Sequence, residues 1–99
     1  MIENIKRVFT KRRVVPNLLI LEIVEKLYNK LEGELHYGIT ELYEVLLPPK
    51  VTFANFRIQI ATLEAGGCIL VTVSSEKASK KNVYLTEQFR EELSRDVYE

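Results

Sequence analysis

The sequence has few of the residues and segments that mark secreted or membrane proteins. It has one cysteine, Cys68, in 99 residues, which excludes an internal disulfide. We expect Cys68 to be a small core residue, with a redox or intersubunit-disulfide role as the alternative. No apolar run approaches the roughly 20 residues of a membrane span, and the N-terminus has no apolar segment of a secretory signal. These absences predict a cytoplasmic protein without a membrane partner.

The sequence also lacks the side chains from which metal and catalytic sites are built. His36, Cys68 and Asp96 are the single members of their residue types, too few and too scattered for a metal site. A Gly-rich phosphate loop, a nucleophile elbow and paired carboxylates are all missing. Gly66 and Gly67 follow a predicted helix and precede a predicted strand, the reverse of a dinucleotide-binding turn. We therefore expect no enzymatic activity, no metal and no cofactor.

An excess of charge of either sign is missing too, because 14 basic and 14 acidic side chains cancel. The charges are unevenly distributed, however. Residues 1–16 contain five Lys or Arg against one Glu, and residues 48–86 contain five against two. Residues 17–47 and 87–99 are acidic. This clustering favours a polyanionic partner, and the alternative is an ordinary solvated surface.

Hydrophobic spacing and end signals predict a mainly helical chain with short strands. Residues 1–16 form either a short helix or an extended basic arm, and residues 17–99 form the domain. We predict helices at 17–32, 41–47, 52–65 and 87–96, and extended segments at 35–39, 68–73 and 82–85. The predicted N-caps are Asn17, Thr40, Thr52 and Thr86, and the predicted helix ends are Gly33, Pro48, Pro49, Gly66 and Gly67.

The first long helix, at 17–32, has a wider apolar face than one core contact requires. Either a second subunit or the folded-back residues 1–16 would cover the surplus, and the sequence leaves both open. The inward side of the 41–47 helix is predicted to be Leu42, Val45 and Leu46. A homodimer interface is predicted at the helix 17–32 and at five further residues, which are Phe9, Phe89, Leu93, Val97 and Tyr98.

Residues 52–87 carry the most specific pattern. The helix 52–65 has one apolar side, formed by Phe53, Phe56, Ile60 and Leu63. Two β-segments follow, joined by residues 74–81, which hold three Lys, three Ser and no Gly. That composition predicts a flexible, basic loop and not a tight turn.

Two motifs in this region match a known pattern. Leu63-Glu-Ala-Gly-Gly67 is like the Leu-Glu-x-x-Gly that ends a recognition helix and enters a wing, and Tyr84-Leu85-Thr86-Glu87 is like the Leu-Thr-Glu that leaves the wing. Over about residues 17–95 the sequence resembles the winged helix-turn-helix superfamily, in particular small prokaryotic and archaeal transcription regulators of the MarR and PadR type. The resemblance implies an α+β, mostly α fold with a three-helix core, a β-hairpin wing and a C-terminal helix.

The resemblance also implies a sequence-specific transcription regulator that binds double-stranded DNA as a homodimer, with no evident small-molecule ligand. The helix 52–65 would lie in the major groove, where Arg57 fits guanine and Asn55 fits adenine, each worth about 1–3 kcal/mol of discrimination. Other candidates on or beside this helix are Lys50 and Thr52 for phosphate, Ile58 and Ala61 for thymine methyl groups, and Thr62. Backbone contacts are expected from the wing, Lys77, Lys80 and Lys81, and from the arm, Lys6, Arg7, Lys11, Arg12 and Arg13.

The alternative function is a winged-helix adaptor that contacts proteins and not DNA. For the single residues, the alternatives are that Arg57 only pairs with a carboxylate and that Asn55 is an ordinary surface residue. The zero net charge favours the adaptor, and the clustered basic residues favour DNA.

Overall fold

The computed structural model describes residues 2–30, 36–73 and 81–98. These segments form helices and strands in the predicted order, preceded by one further helix. The elements are α1 (Ile2–Lys11), α2 (Leu18–Tyr28), β1 (His36–Gly38), α3 (Ile39–Leu46), α4 (Phe53–Ala65), β2 (Ile69–Val73), β3 (Lys81–Leu85) and α5 (Glu87–Tyr98).

The three strands form one antiparallel sheet in the order β1-β3-β2. Val71 lies opposite Val83, and Val83 is fully buried, so this face of the sheet covers the core. We call β2, β3 and the segment between them the wing. Lys77 and Lys80 lie outside the described residues. Lys81 pairs with Val73 in the strand ladder, so its assignment to the flexible loop is wrong.

Three of the four predicted N-caps are confirmed. The side chains of Asn17, Thr52 and Thr86 accept hydrogen bonds from the backbone N–H three residues later, at 2.8, 3.1 and 3.3 Å. The prediction for Thr40 is wrong, because α3 already begins at Ile39 with Gly38 as its N-cap. The extended backbone of Gly38, paired to β3, leads directly into the helix.

Helix α2 ends at Tyr28, four residues before the predicted end at 32. Asn29 follows as the C-cap, and a tertiary contact supports this helix end. The guanidinium of Arg90 on α5 donates to the backbone carbonyls of Leu27 and Tyr28 at 3.2 and 3.3 Å, which satisfies carbonyl groups that a helix end leaves unpaired. Gly33, the predicted stop, lies outside the described residues.

Residues 2–11 form a helix, and this helix lies in the core. Ile5, Val8 and Phe9 of α1 are buried, and α1 packs against α5 and α2. The surplus apolar face of α2 is therefore covered by α1 of the same chain. Of the two alternatives that the sequence left open, this is the folding back of the N-terminal residues. This also makes the predicted dimer contacts of Phe9, Phe89 and Leu93 wrong, because each is at most 2% exposed in the single chain. The side chains of Val97 and Tyr98 lie outside the described part.

The turn between α3 and α4 is held by an unusual backbone. Leu47 and Lys50 have φ angles of 42° and 61°, on either side of the two prolines. The hydroxyl of Tyr43 closes this turn by donating to the carbonyl of Val51 at 2.6 Å. The Tyr43 ring also packs against the rings at 53 and 56. Because α3 turns its Tyr43 side inward, Val45 is 45% exposed, and its predicted inward position is wrong.

Residues 2–30, 36–73 and 81–98 contain no helix with both the length and the apolar character needed to cross a bilayer. Nor do these segments bring three His, Cys, Asp or Glu side chains together as a metal site.

Candidate nucleic-acid interface

Helix α4 turns one side into the protein, as the spacing of its apolar residues predicts. Phe56, Ile60 and Leu63 are buried, and Phe53 is partly buried against the same core. The rings of Phe53 and Phe56 both contact the Tyr43 ring, with centroids 5.3 and 5.2 Å apart. This aromatic cluster fixes the rotation of α4 about its axis, so the opposite side of the helix is open to solvent.

The open side of α4 carries Asn55, Arg57 and Ile58, all exposed. Among the described residues, no hydrogen bond or ion pair engages the side chain of Asn55 or Arg57. The described residues therefore show no carboxylate paired with Arg57, which was the alternative role of this side chain. Ile58 is 58% exposed, so its side chain is open to contact from outside the protein. The surface combines an Arg fork, an amide and an apolar contact, which are three groups that can read base edges.

The hydroxyl groups of Thr52 and Thr62 on this surface each make one hydrogen bond to the backbone of α4. Thr52 accepts from the N–H of Asn55 and thereby caps the helix start. Thr62 donates to the carbonyl of Ile58 at 2.9 Å, so its hydroxyl can only accept from a ligand in this rotamer. Lys50 is exposed two residues before the cap. The cap, the lysine and the positive end of the helix dipole suit an anion at this end of α4.

A groove of about 440 Å³ lies between the open side of α4 and the strands β2 and β3 of the wing. Arg57 and Ile58 line it from α4, and Lys81 lines it from β3. The sequence predicts a cationic β-ribbon beside the outward side of this helix, and the described part of the ribbon lies there. The groove therefore presents two cations, Arg57 and Lys81, with an apolar floor between them.

Five further residues of this groove were not among the predicted site residues, namely Ile39, Ala54, Ile60, Glu64 and Val71. Glu64 could have been found, because it is seven residues after Arg57 and so lies on the same side of the helix. Ile39 and Val71 reach the groove through the packing of α3 and the sheet, for which no local signal exists. The carboxylate of Glu64 also places one negative charge among the cations.

The start of α2 lies beside the middle of α4. The side-chain amide of Asn17 donates to the side chain of Gln59 at 3.1 Å. Val15 and Leu18 on either side of Asn17 are 96% and 65% exposed. From the sequence, Asn17 was identified only as a helix cap, and its contact to α4 required the tertiary structure.

The basic residues at the end of α1 are divided by the structure. Lys11 and Arg13 are exposed, so their predicted DNA contacts stay predictions. Arg12 turns inward and donates to both carboxylate oxygens of Glu92, at 3.2 and 3.0 Å. Its third nitrogen donates to the carbonyl of Gly66 at 3.2 Å. These bonds hold the guanidinium of Arg12 against α5 and the end of α4, and its predicted DNA contact stays a prediction.

Cys68 lies against this guanidinium, with 3.7 Å between Sγ and Nη1. The residue is buried, as predicted for a small core residue. Burial raises the pKa of the Cys68 thiol, although the charge of Arg12 opposes the shift. The hydrogen bonds to Glu92 raise the pKa of Arg12 above its ordinary value. Cys68 is therefore a thiol at neutral pH and a poor nucleophile.

Comparison with known proteins identifies the fold. No protein-family model and no curated protein sequence matches the chain. Three similar solved structures are a MarR family transcriptional regulator from Streptomyces coelicolor (Sco3205) in complex with DNA, a mutant of S. aureus MepR bound to an oligodeoxyribonucleotide, and a transcriptional regulator homologue from Pyrococcus horikoshii OT3. Their TM-scores are 0.70, 0.69 and 0.68, at 19%, 14% and 21% sequence identity.

The alignments cover 97%, 94% and 97% of this chain, respectively. They cover 57% and 62% of the first two structures and 88% of the third, so the chain spans less than two thirds of the DNA-bound proteins. The fold is thus a winged helix-turn-helix of the kind seen in MarR family regulators. It is α+β and mostly α.

Proposed function

We propose that the chain is a sequence-specific, double-stranded DNA-binding transcription regulator without enzymatic activity. Helix α4 enters the major groove, and the wing lies on the backbone or over the minor groove. One observation carries the proposal: Arg57 on the open side of α4 and Lys81 on the wing line the same groove. A helix and a ribbon that face the same way can contact one duplex together.

Three further points support the proposal. Two of the similar structures were solved with DNA. Asn55 and Arg57 extend from α4 without partners among the described residues, which leaves their donors and acceptors for bases. Lys81 supplies a cation beside α4, and the exposed Lys11 and Arg13 after α1 offer two more for phosphates. A protein with this role works where the DNA is, and we place it in the cytoplasm.

We also propose that the regulator acts as a homodimer. The argument from the wide apolar face of α2 no longer applies, because α1 covers that face. The present support is a short run of exposed apolar side chains between α1 and α2, formed by Val14, Val15 and Leu18. A dimer would place two α4 helices about 34 Å apart and select a palindromic site. Sedimentation at micromolar concentration tests the mass, and a monomer would remove this part of the proposal.

The test of DNA binding begins by selecting duplexes from a random pool with the wild-type protein. Affinity for the selected duplex and for a scrambled one is then measured against salt concentration. We expect Arg57→Ala to weaken binding by about 1–3 kcal/mol on the selected duplex and much less on the scrambled one. Replacing Lys77, Lys80 and Lys81 together by alanine should weaken both equally and reduce the salt slope by about 0.9 for each phosphate that the variant no longer neutralises.

The matched control is Arg95→Ala. Arg95 is an exposed helical arginine on α5, paired with Glu91, and its replacement removes the same charge away from the groove. It should leave both affinities nearly unchanged. Absence of binding to any duplex at low salt would reject the proposal and favour the protein-contacting adaptor.

A further inference from the structure

Arg12 joins four parts of the fold through one side chain. It extends from the C-terminal end of α1 and makes a two-pronged ion pair with Glu92 of α5. The same guanidinium lies 4.9 Å from the centroid of the Phe89 ring on α5. Its remaining nitrogen bonds the carbonyl of Gly66, which caps α4, and contacts Cys68, which precedes β2.

The point that Arg12 binds is the junction between the recognition helix and the wing. Gly66 ends α4, and Gly67 turns the chain with a φ angle of 75°. Cys68 then leads into β2, and its carbonyl is bonded by the N–H of Thr86 where the chain leaves the sheet. Any rotation of α4 relative to the wing must pass through these three residues.

Several bonds in this cluster are strong ones. A bidentate Arg–carboxylate pair fixes both distance and orientation, because two parallel N–H···O bonds define a plane. The two side chains are 25% and 28% exposed, so water screens the pair less than it screens a surface ion pair. Removing one partner leaves a partly buried charge without its counter-ion, which the structure relieves by moving the segments around it.

We propose that Arg12 and Glu92 form a latch that positions α4 relative to the wing and so sets the affinity for DNA without touching it. The inference rests on the proposed function. It gives Arg12 a role that the sequence could not, since a basic residue in a basic arm suggested a phosphate contact. Neither Arg12 nor Glu92 lines the groove between α4 and the wing.

Replacing Glu92 distinguishes the latch from simple electrostatics, because the two predict opposite changes in Kd. Glu92→Gln removes a negative charge, so long-range electrostatics alone would strengthen binding to a polyanion. A broken latch predicts the opposite, a Kd for the selected duplex raised about 3- to 30-fold, with the salt slope unchanged because the protein still neutralises the same number of phosphates. The matched control is Glu91→Gln, the same change at the neighbouring exposed residue of α5, for which binding should be equal to wild type or slightly tighter.

Arg12→Gln and the double variant with Glu92→Gln complete a double-mutant cycle in log Kd. If the two residues act as one latch, the double variant binds no worse than the weaker single variant. Additive losses of affinity would overturn the latch, and so would a reduced salt slope in Arg12→Gln, which would mean a direct phosphate contact. All variants are compared at a temperature where circular dichroism shows each to be fully folded.

Cys68 gives a readout that does not depend on DNA. Its side chain is 4% exposed beside the guanidinium, so a thiol reagent reacts only when this junction opens. Thiol modification should be faster in Glu92→Gln and Arg12→Gln than in wild type, and unchanged in Glu91→Gln. Unchanged reactivity in all variants would reject the latch even if the protein binds DNA. Faster modification with no DNA binding in the wild type would reject the proposed function and, with it, the effect of the latch on affinity.

Discussion

The hydroxyl of Thr86 donates a hydrogen bond to the carbonyl of Gly67, with 2.8 Å between the two oxygens. The same hydroxyl oxygen accepts from the N–H of Phe89 and caps α5. One side chain therefore connects the end of α4 to the start of α5. Gly67 and Thr86 belong to the two sequence motifs that carried the resemblance, so the pairing of those motifs has a physical basis.

Replacing Thr86 by valine keeps the branched shape and removes both hydrogen bonds. We expect the free energy of unfolding to fall by about 1 kcal/mol, mainly through loss of the helix cap, because water can bond the exposed Gly67 carbonyl instead. Urea unfolding followed by circular dichroism measures this. Thr86→Ser retains the hydroxyl and should be destabilised less than half as much. Equal destabilisation in the two variants would show that packing, and not the hydroxyl, matters here.

The two glycines after α4 should respond differently to alanine. Gly67 has a φ angle of 75° and open space where a Cβ would stand, so Gly67→Ala introduces only backbone strain, about 1–2 kcal/mol. Gly66 has a φ angle of −80°, and its Cβ would meet the carbonyl of Thr62 at an ordinary 3.6 Å. Gly66→Ala should stay within about 0.5 kcal/mol of wild type. Chemical denaturation of both variants tests the contrast.

Opposite sides of α4 should separate stability from DNA affinity. Phe56 is fully buried, and Phe56→Ala should destabilise the fold by about 3–5 kcal/mol. Ile58 is 58% exposed, so Ile58→Ala should change stability by less than about 0.5 kcal/mol.

On DNA the Ile58 variant should bind more weakly, by roughly fourfold for each CH₂ group no longer covered by the duplex. Melting temperature and Kd are measured on the same preparation. An unchanged Kd for the selected duplex would place Ile58 outside the interface.

Cys68 predicts a decrease of stability at alkaline pH. Burial raises the thiol pKa in the folded state, so above the ordinary value of about 8.5 the unfolded chain releases a proton that the native state retains. Stability then falls as pH rises through and above that value, by up to about 1.4 kcal/mol for each unit of the shift. Cys68→Ala cannot titrate, and its unfolding free energy should decline less than that of wild type. Parallel pH profiles of the two proteins would contradict the prediction.

Much of the fold followed from local signals. The caps at Asn17, Thr52 and Thr86 depend on a side-chain oxygen and an N–H three residues later, so the sequence alone places them. The glycine pair after α4 was also predicted from local sequence, because glycine favours the end of a helix. The end of α2 was missed. The helix ends at Tyr28 with Asn29 as its C-cap, although asparagine is a local stop signal, and Arg90 adds two hydrogen bonds to this end from across the fold.

The candidate site also has one part that local sequence predicts and one part that only packing creates. The open side of α4 follows from its apolar spacing, because a helix that buries Phe56 and Ile60 must turn Asn55 and Arg57 away. The groove residues Ile39 and Val71 come from other elements, and only packing brings them there. Arg12 shows the limit most clearly. Its neighbours in sequence are basic, and its partner Glu92 lies 80 residues away.

The amino-acid sequence by itself determined the order of the elements, the rotation of the helix 53–65 and the wing beside it. Helical periodicity, caps and glycine stops act over a few residues, and such short-range terms can be read from the chain. The tertiary structure alone decided that α1 joins the core, that Phe9 and Phe89 face each other inside one chain, and which basic residues stay on the surface. Burial and long-range ion pairs depend on residues that meet only after folding, so no local pattern encodes them.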